Sequence, residues 1–184
     1  MKRPTLALML LPIFTLAAAC ASTRPPTGVD RDALKLQVEE TVQTFRTRDP
    51  GLERFFKRSY GWAVFPKVTK GAAGVGGANG RGLVYEEKAL VGYSTLSQAT
   101  IGLQLGGQTY REIVFFQTKV DLDRFRAGTF AFDAQASAVA VRAGASTDAN
   151  YTRGAAVFTM TRAGLMYEAS IGGQRFTYEP LHEE

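Results

Sequence analysis

Nineteen glycines in 184 residues, most of them between Gly61 and Gly107, constrain this chain more than any other feature. Lys70 to Gly82 alone reads KGAAGVGGANGRG. The flanks of that run look like strands. Trp62-Ala63-Val64-Phe65 is a short apolar strand closed by Pro66, and Leu83-Val84-Tyr85 is another. Thr100 to Gly106 alternates, with Ile101, Leu103 and Leu105 on one face. Ile113 to Phe116 has the character of a buried strand, and Phe130 to Val141 is β-rich and full of alanine. Ala155 to Thr161 and Gly164 to Tyr178 form a closing hairpin or pair, joined near Arg162-Ala163-Gly164. These intervals suit an antiparallel sheet, sandwich or barrel. Glycine and alanine inside strands point to tight curvature or close backbone packing.

The first part of the chain is different. Asp30 can cap a helix running to about Thr47, and Leu34, Val38, Val42 and Phe45 share one face of it. Asp49-Pro50 starts a second, short helix from Leu52 to about Tyr60. Asp121 to Arg126 makes a short helix before Gly128. The expectation is one α+β domain, with N-terminal helices packed on a strongly curved antiparallel sheet or barrel-like sandwich.

Residues 1–19 have the order of an export signal: Lys2 and Arg3, an apolar run from Leu6 to Leu16, then small residues before Cys20. Pro12 interrupts a run already shorter than the roughly 20 residues that span a membrane. Cys20, the only cysteine, resembles the acylated residue of a lipoprotein cleavage site, although Ala17 stands where leucine is usual. Ala17-x-Ala19 equally fits an ordinary signal-peptidase site. With one cysteine, no intrachain disulfide can form. Residues 20–29, with Pro25-Pro26 and Gly28, read as a linker, and residues 30–184 as the domain.

Little in the sequence supports chemistry. The formal charge is +5, and loss of Lys2 and Arg3 with the signal leaves about +3. That is too mild to argue for nucleic acid, but it favours anionic surfaces such as phospholipid headgroups. The glycine run lacks the Lys-Ser/Thr of a phosphate loop, and after Gly74-Val75-Gly76 the next glycine of a dinucleotide fingerprint falls one residue late, at Gly80. The single histidine, His182, cannot build a metal site or a catalytic triad. Glu86, Glu87, Glu112, Asp121, Asp123 and Asp133 are the carboxylates that could pair for acid–base work. The expectation is a protein without catalysis, cofactor or metal.

What remains is a basic and aromatic segment. Arg54, Phe55, Phe56, Lys57, Arg58, Trp62, Lys67 and Lys70 mix rings with cations as a lipid interface does. The alternative is that the rings are core and the cations a solvated rim. Gly61-Trp62-Ala63-Val64-Phe65-Pro66, Lys70-Gly71, the run to Gly82 and Ile101-Gly102-Leu103-Gln104-Leu105-Gly106-Gly107-Gln108 resemble the SYLF domain, also called Ysc84 or DUF500. Gly154-Ala155-Ala156 and Gly164-Leu165-Met166-Tyr167-Glu168-Ala169-Ser170 are similar to that family's closing strands. The resemblance spans about Leu34 to Tyr178. It implies phospholipid binding, with Leu52–Arg58 as the basic amphipathic segment and Lys67 and Lys70 beside it. Actin, a partner of some eukaryotic members, is not expected for an exported lipoprotein. The expected place is the periplasmic side of the outer membrane, held by Cys20. The other expectation is a structural or protein-interaction scaffold of the cell envelope.

Overall fold

The computed structural model describes residues 28–130, 132, 137–163 and 169–181. Residues 1–19, Cys20, the linker up to Thr27, Asp133 and His182 lie outside the described residues, as do the side chains of Ile101, Leu103 and Leu105.

The N-terminal helix α1 (Gly28–Arg48) carries the expected stripe. Val38 and Phe45 are fully buried, with Leu34 and Val42 packed beside them. Asp30 in its first turn and Arg46 and Arg48 in its last oppose the helix dipole. A single 3-10 turn (Pro50–Leu52) leads into α2 (Glu53–Arg58). Asp49 caps that turn, its Oδ1 accepting from the Gly51 amide at 3.1 Å.

The glycine run is neither a loop nor a hairpin tip. β1 (Gly61–Glu86) passes straight through it and pairs antiparallel with β2 (Ala89–Phe116), from Gly61↔Phe116 to Glu86↔Ala89. Pro66, expected to end a strand, sits inside β1, in the register shift between Phe65 and Val68. There its missing N–H interrupts no ladder. The turn is Glu87-Lys88, with φ of 47° and 74°. Positive φ at both central residues is the hairpin geometry that matches strand twist. The two halves of β1 also touch. A β-carbon on Gly82 would collide with the Val64 carbonyl oxygen, and one on Gly80 would stand 2.9 Å from a Val68 methyl. Close backbone approach is therefore what glycine provides here.

After β2, α3 (Lys119–Arg126) starts with a reciprocal capping box between Thr118 and Asp121. β3 (Ser137–Ala140), β4 (Ala155–Ala163), β5 (Ala169–Ser170) and β6 (Gln174–Pro180) follow. The strand order is β1-β2-β4-β3-β5, with β6 also on β2. β4 pairs with residues 109–116 of β2 and β6 with residues 92–98. The α+β class is as expected, but three details differ. The β3–β4 pair is parallel, so the sheet is mixed rather than antiparallel. The order has two free ends, so it is an open sheet and not a closed barrel. The closing hairpin is replaced by two strands that each pair with β2, because the partner that buries Phe176 lies some 80 residues back, at Leu96.

Strand alternation sends side chains to two cores. Trp62, Val64, Leu83, Tyr93, Ile113 and Phe115 face α1 and α2. Ala63, Phe65, Val84, Leu96, Val114, Phe116 and Phe176 face the opposite way, with Leu122 and Phe125 of α3.

Candidate functional site

α2 is only six residues long, and its two faces separate the sequence-derived site. Phe55 and Phe56 point inward at 3% and 2% exposure, and Trp62 on β1 at 7%. Phe55 packs against Phe158, Tyr151 and Phe115, with centroids at 4.9, 5.4 and 5.5 Å. Phe56 meets Phe115 edge-on at 4.9 Å and Trp62 at 5.6 Å, and Trp62 stacks on Tyr85 at 5.6 Å. The expected lipid-facing rings are therefore core. A helix lying on a sheet buries its large rings where the apolar strand residues already are.

Arg54 is also committed elsewhere. Its Nη2 donates to the carbonyls of Ser146 and, at 2.6 Å, of Ala149, and its guanidinium lies 4.8 Å over the Phe55 ring. Asp49 Oδ2 accepts from the Ser146 amide at 2.6 Å. Together these two charged residues hold the loop of residues 142–150 against the α1–α2 junction.

Lys57 and Arg58 are exposed on the far side of α2. With Ser59 and Tyr60, the turn residues Glu87 and Lys88, and Gln117, they line an open cleft of about 390 Å³. The cleft thus presents three cations against one carboxylate. Glu86 adds no charge to it. Its Oε2 accepts from Arg126 at 2.5 Å and its Oε1 from the Tyr60 hydroxyl at 2.8 Å. The Arg126 hydrogen bond, then that of Tyr60, holds the Glu86 carboxyl below the ordinary carboxylate range. The same Glu86 contact raises the Tyr60 phenol, which stays a neutral donor.

A second cleft of about 350 Å³ lies between α1 and β1. Asp30, Ala33, Leu34 and Gln37 form one wall, and Pro66, Lys67, Thr69, Asn79, Gly80 and Arg81 the other. Lys67 is therefore in a different cleft from Lys57 and Arg58, and Lys70, half-buried further along β1, lines neither of the two. The sequence reading missed Lys88 and Tyr60. Recognising Glu87-Lys88 as the turn between two long strands would have brought Lys88 beside α2.

Among the described residues no three His, Cys, Asp or Glu side chains are grouped to hold a metal. No helix among them is long and apolar enough to cross a membrane.

Comparison with known proteins points the same way as the motifs. Residues 97–180 match the Ysc84 family, described as "Las17-binding protein actin regulator". That is the family the motifs resemble, and the segment from the middle of β2 to the end of β6 carries its signature. The chain is also 23% identical over 147 residues to Beta cell expansion factor A of Aeromonas veronii, covering 79% of this chain. It spans about half of that relative, 56% of its length. Gln117 of the first cleft falls inside the matched segment, whereas Lys57, Arg58 and Lys88 precede it.

Proposed function

We propose that this protein is a non-catalytic lipid-binding module of the cell envelope, anchored through Cys20, that engages anionic phospholipid headgroups. The observation that carries the reading is the cleft lined by Lys57, Arg58 and Lys88, with Gln117 as a neutral donor and Glu87 as the single carboxylate, the Tyr60 hydroxyl being given to Glu86. Clustered cations at a surface attract phosphate by charge, at about 1 kcal/mol each near an anionic leaflet. The Ysc84 match supports a lipid-binding or scaffold role of the same kind. Lys67, in the second cleft, and Lys70 lie further along β1, outside this cluster. Contact is therefore electrostatic and superficial, since the rings of α2 are occupied in the core.

The test is flotation of a Cys20→Ser form, which has no acyl site, with vesicles of neutral and of anionic phospholipid. Recovery with anionic vesicles alone is expected. Equal recovery near background from both would overturn the reading. A scaffold role is the second reading, because the family description names a protein-binding regulator. A stoichiometric protein partner captured without lipid would favour it. Actin is not part of the proposal.

A further inference from the structure

The core facing α3 contains a polar cluster that headgroup binding does not use. Glu112 of β2 is fully buried, opposite Phe65 of β1 and Thr159 of β4. Its Oε2 accepts from Nε2 of Gln174, the first residue of β6, at 3.0 Å. The same Nε2 reaches the Tyr110 hydroxyl at 3.4 Å. Beside Gln174, Nε2 of Gln98 donates to the Gly172 carbonyl at 2.7 Å. The start of β6 is thus held twice. Its backbone pairs with residues 92–98 of β2, and its side chain reaches residues 110–112 of that strand.

No ion pair among the described residues involves Glu112. On its own strand Tyr110 is the titratable neighbour, and Arg111 is paired to Glu40 of α1 at 2.6 Å. On β1 the groups on the same face are Phe65 and Val68, and Lys67 is exposed. β4 contributes Thr159 and Val157, and its Arg162 is exposed. β6 contributes Gln174 and Phe176, and its Arg175 is exposed. α3 contributes Leu122 and Phe125, while its Asp121 is bonded to Thr118 and its Arg126 to Glu86. Among the described residues, Glu112 Oε1, Gln174 Oε1 and Thr159 Oγ1 are buried without hydrogen-bond partners. Of these three only the Thr159 hydroxyl can donate, and a protonated Glu112 adds a second donor to the cluster. An ionised one supplies only another acceptor and an unpaired buried charge.

We propose that Glu112 is a proton-operated latch for β6, closed when its carboxyl is protonated and released when it ionises. Phe176 is what the latch covers. It packs on Phe125, Phe65 and Phe132 at 5.0, 5.7 and 5.9 Å, so lifting β6 uncovers a cluster of rings. Burial raises the Glu112 carboxyl to about 7, outweighing the Gln174 hydrogen bond, which favours the ionised form, and this sets the pH at which the latch works. The inference does not depend on lipid binding.

Hydrogen exchange of the full chain, corrected for intrinsic rates, tests it between about pH 5.5 and about pH 8.5. Across that range the amides of residues 174–179 should lose roughly tenfold more protection than those of residues 155–160. Glu112→Gln should abolish that difference. An equal loss in the variant would overturn the latch. The wild-type carboxyl, followed by carbon NMR, gives a readout that needs no variant. A midpoint near 7 with β6 amides moving in step supports the proposal. A midpoint near the ordinary 4.5, or β6 amides that ignore the titration, overturns it.

Discussion

Removing the three cations of the first cleft should cost most of the affinity for anionic membranes. Lys57, Arg58 and Lys88 line one opening, so a single vesicle surface can meet all three. At about 1 kcal/mol for each cation near an anionic leaflet, the triple alanine variant loses about 3 kcal/mol. Lys57 contributes least, because Glu53 stands 3.9 Å from its Nζ and exposed pairs of that kind are worth about 0.2–1 kcal/mol. The expected weakening is therefore roughly 50- to 150-fold. Flotation of the Cys20→Ser background with anionic vesicles reads this directly. Lys119→Ala, whose cation is paired to Asp123 at 2.7 Å, should change little. Raising salt shortens the screening length from about 8 Å towards about 3 Å and should erase most of the difference. A triple variant that floats like its parent, or binding that ignores salt, would refute the electrostatic argument.

Other residues give independent checks. Phe56→Ala should destabilise by about 3–5 kcal/mol in chemical denaturation, yet leave vesicle affinity of the folded protein unchanged, because its ring is core. Gly82→Ala should cost about 1–3 kcal/mol by collision with the Val64 carbonyl, whereas Gly71→Ala, with open space around the added carbon, serves as the neutral comparison. Asp49→Ala strands the amides of Gly51 and Ser146 and should lower stability by about 2–4 kcal/mol. For Glu112, the folded carboxyl at about 7 lies above the ordinary 4.5. The stability that protonation supports is thus complete below about pH 4.5, declines as pH rises towards about 7, and totals about 3 kcal/mol. Thermal melts in that window should show the decline in the wild type and a flat profile in Glu112→Gln. Glu86, held low by Arg126, acts with the opposite sign and only as pH falls below its ordinary value, so the two effects separate.

How far residues reveal their partners depended on distance along the chain. The spacing of Leu34, Val38, Val42 and Phe45 was enough for α1, because a helix face is a local property. α3 was equally plain. The length of β1 was not, since Pro66 and the glycines look like breaks, and only the continuous partner β2 cancels them. Phe55 and Phe56 beside Lys57 and Arg58 fit a membrane face or a core face equally well. Phe115 and Phe158, some 60 and 100 residues away, decide between the two. Lys88 and Gln174 were hidden for the same reason: each acts on residues brought close by strand pairing rather than by sequence.

The domain begins and finishes at one corner. Arg31, near the start of α1, bonds Glu179, near the end of β6, at 3.2 Å, and lies 4.9 Å over the Tyr93 ring. A tether entering at Gly28 and a fusion added after Leu181 would therefore leave from neighbouring points. Cys20 is eight residues before Gly28, a fully extended reach of roughly 25 Å. If Cys20 carries an acyl chain, that corner stays within this radius of the bilayer. A bulky C-terminal reporter would crowd that corner itself, whereas an insertion at the Glu87-Lys88 turn would crowd the headgroup cleft instead.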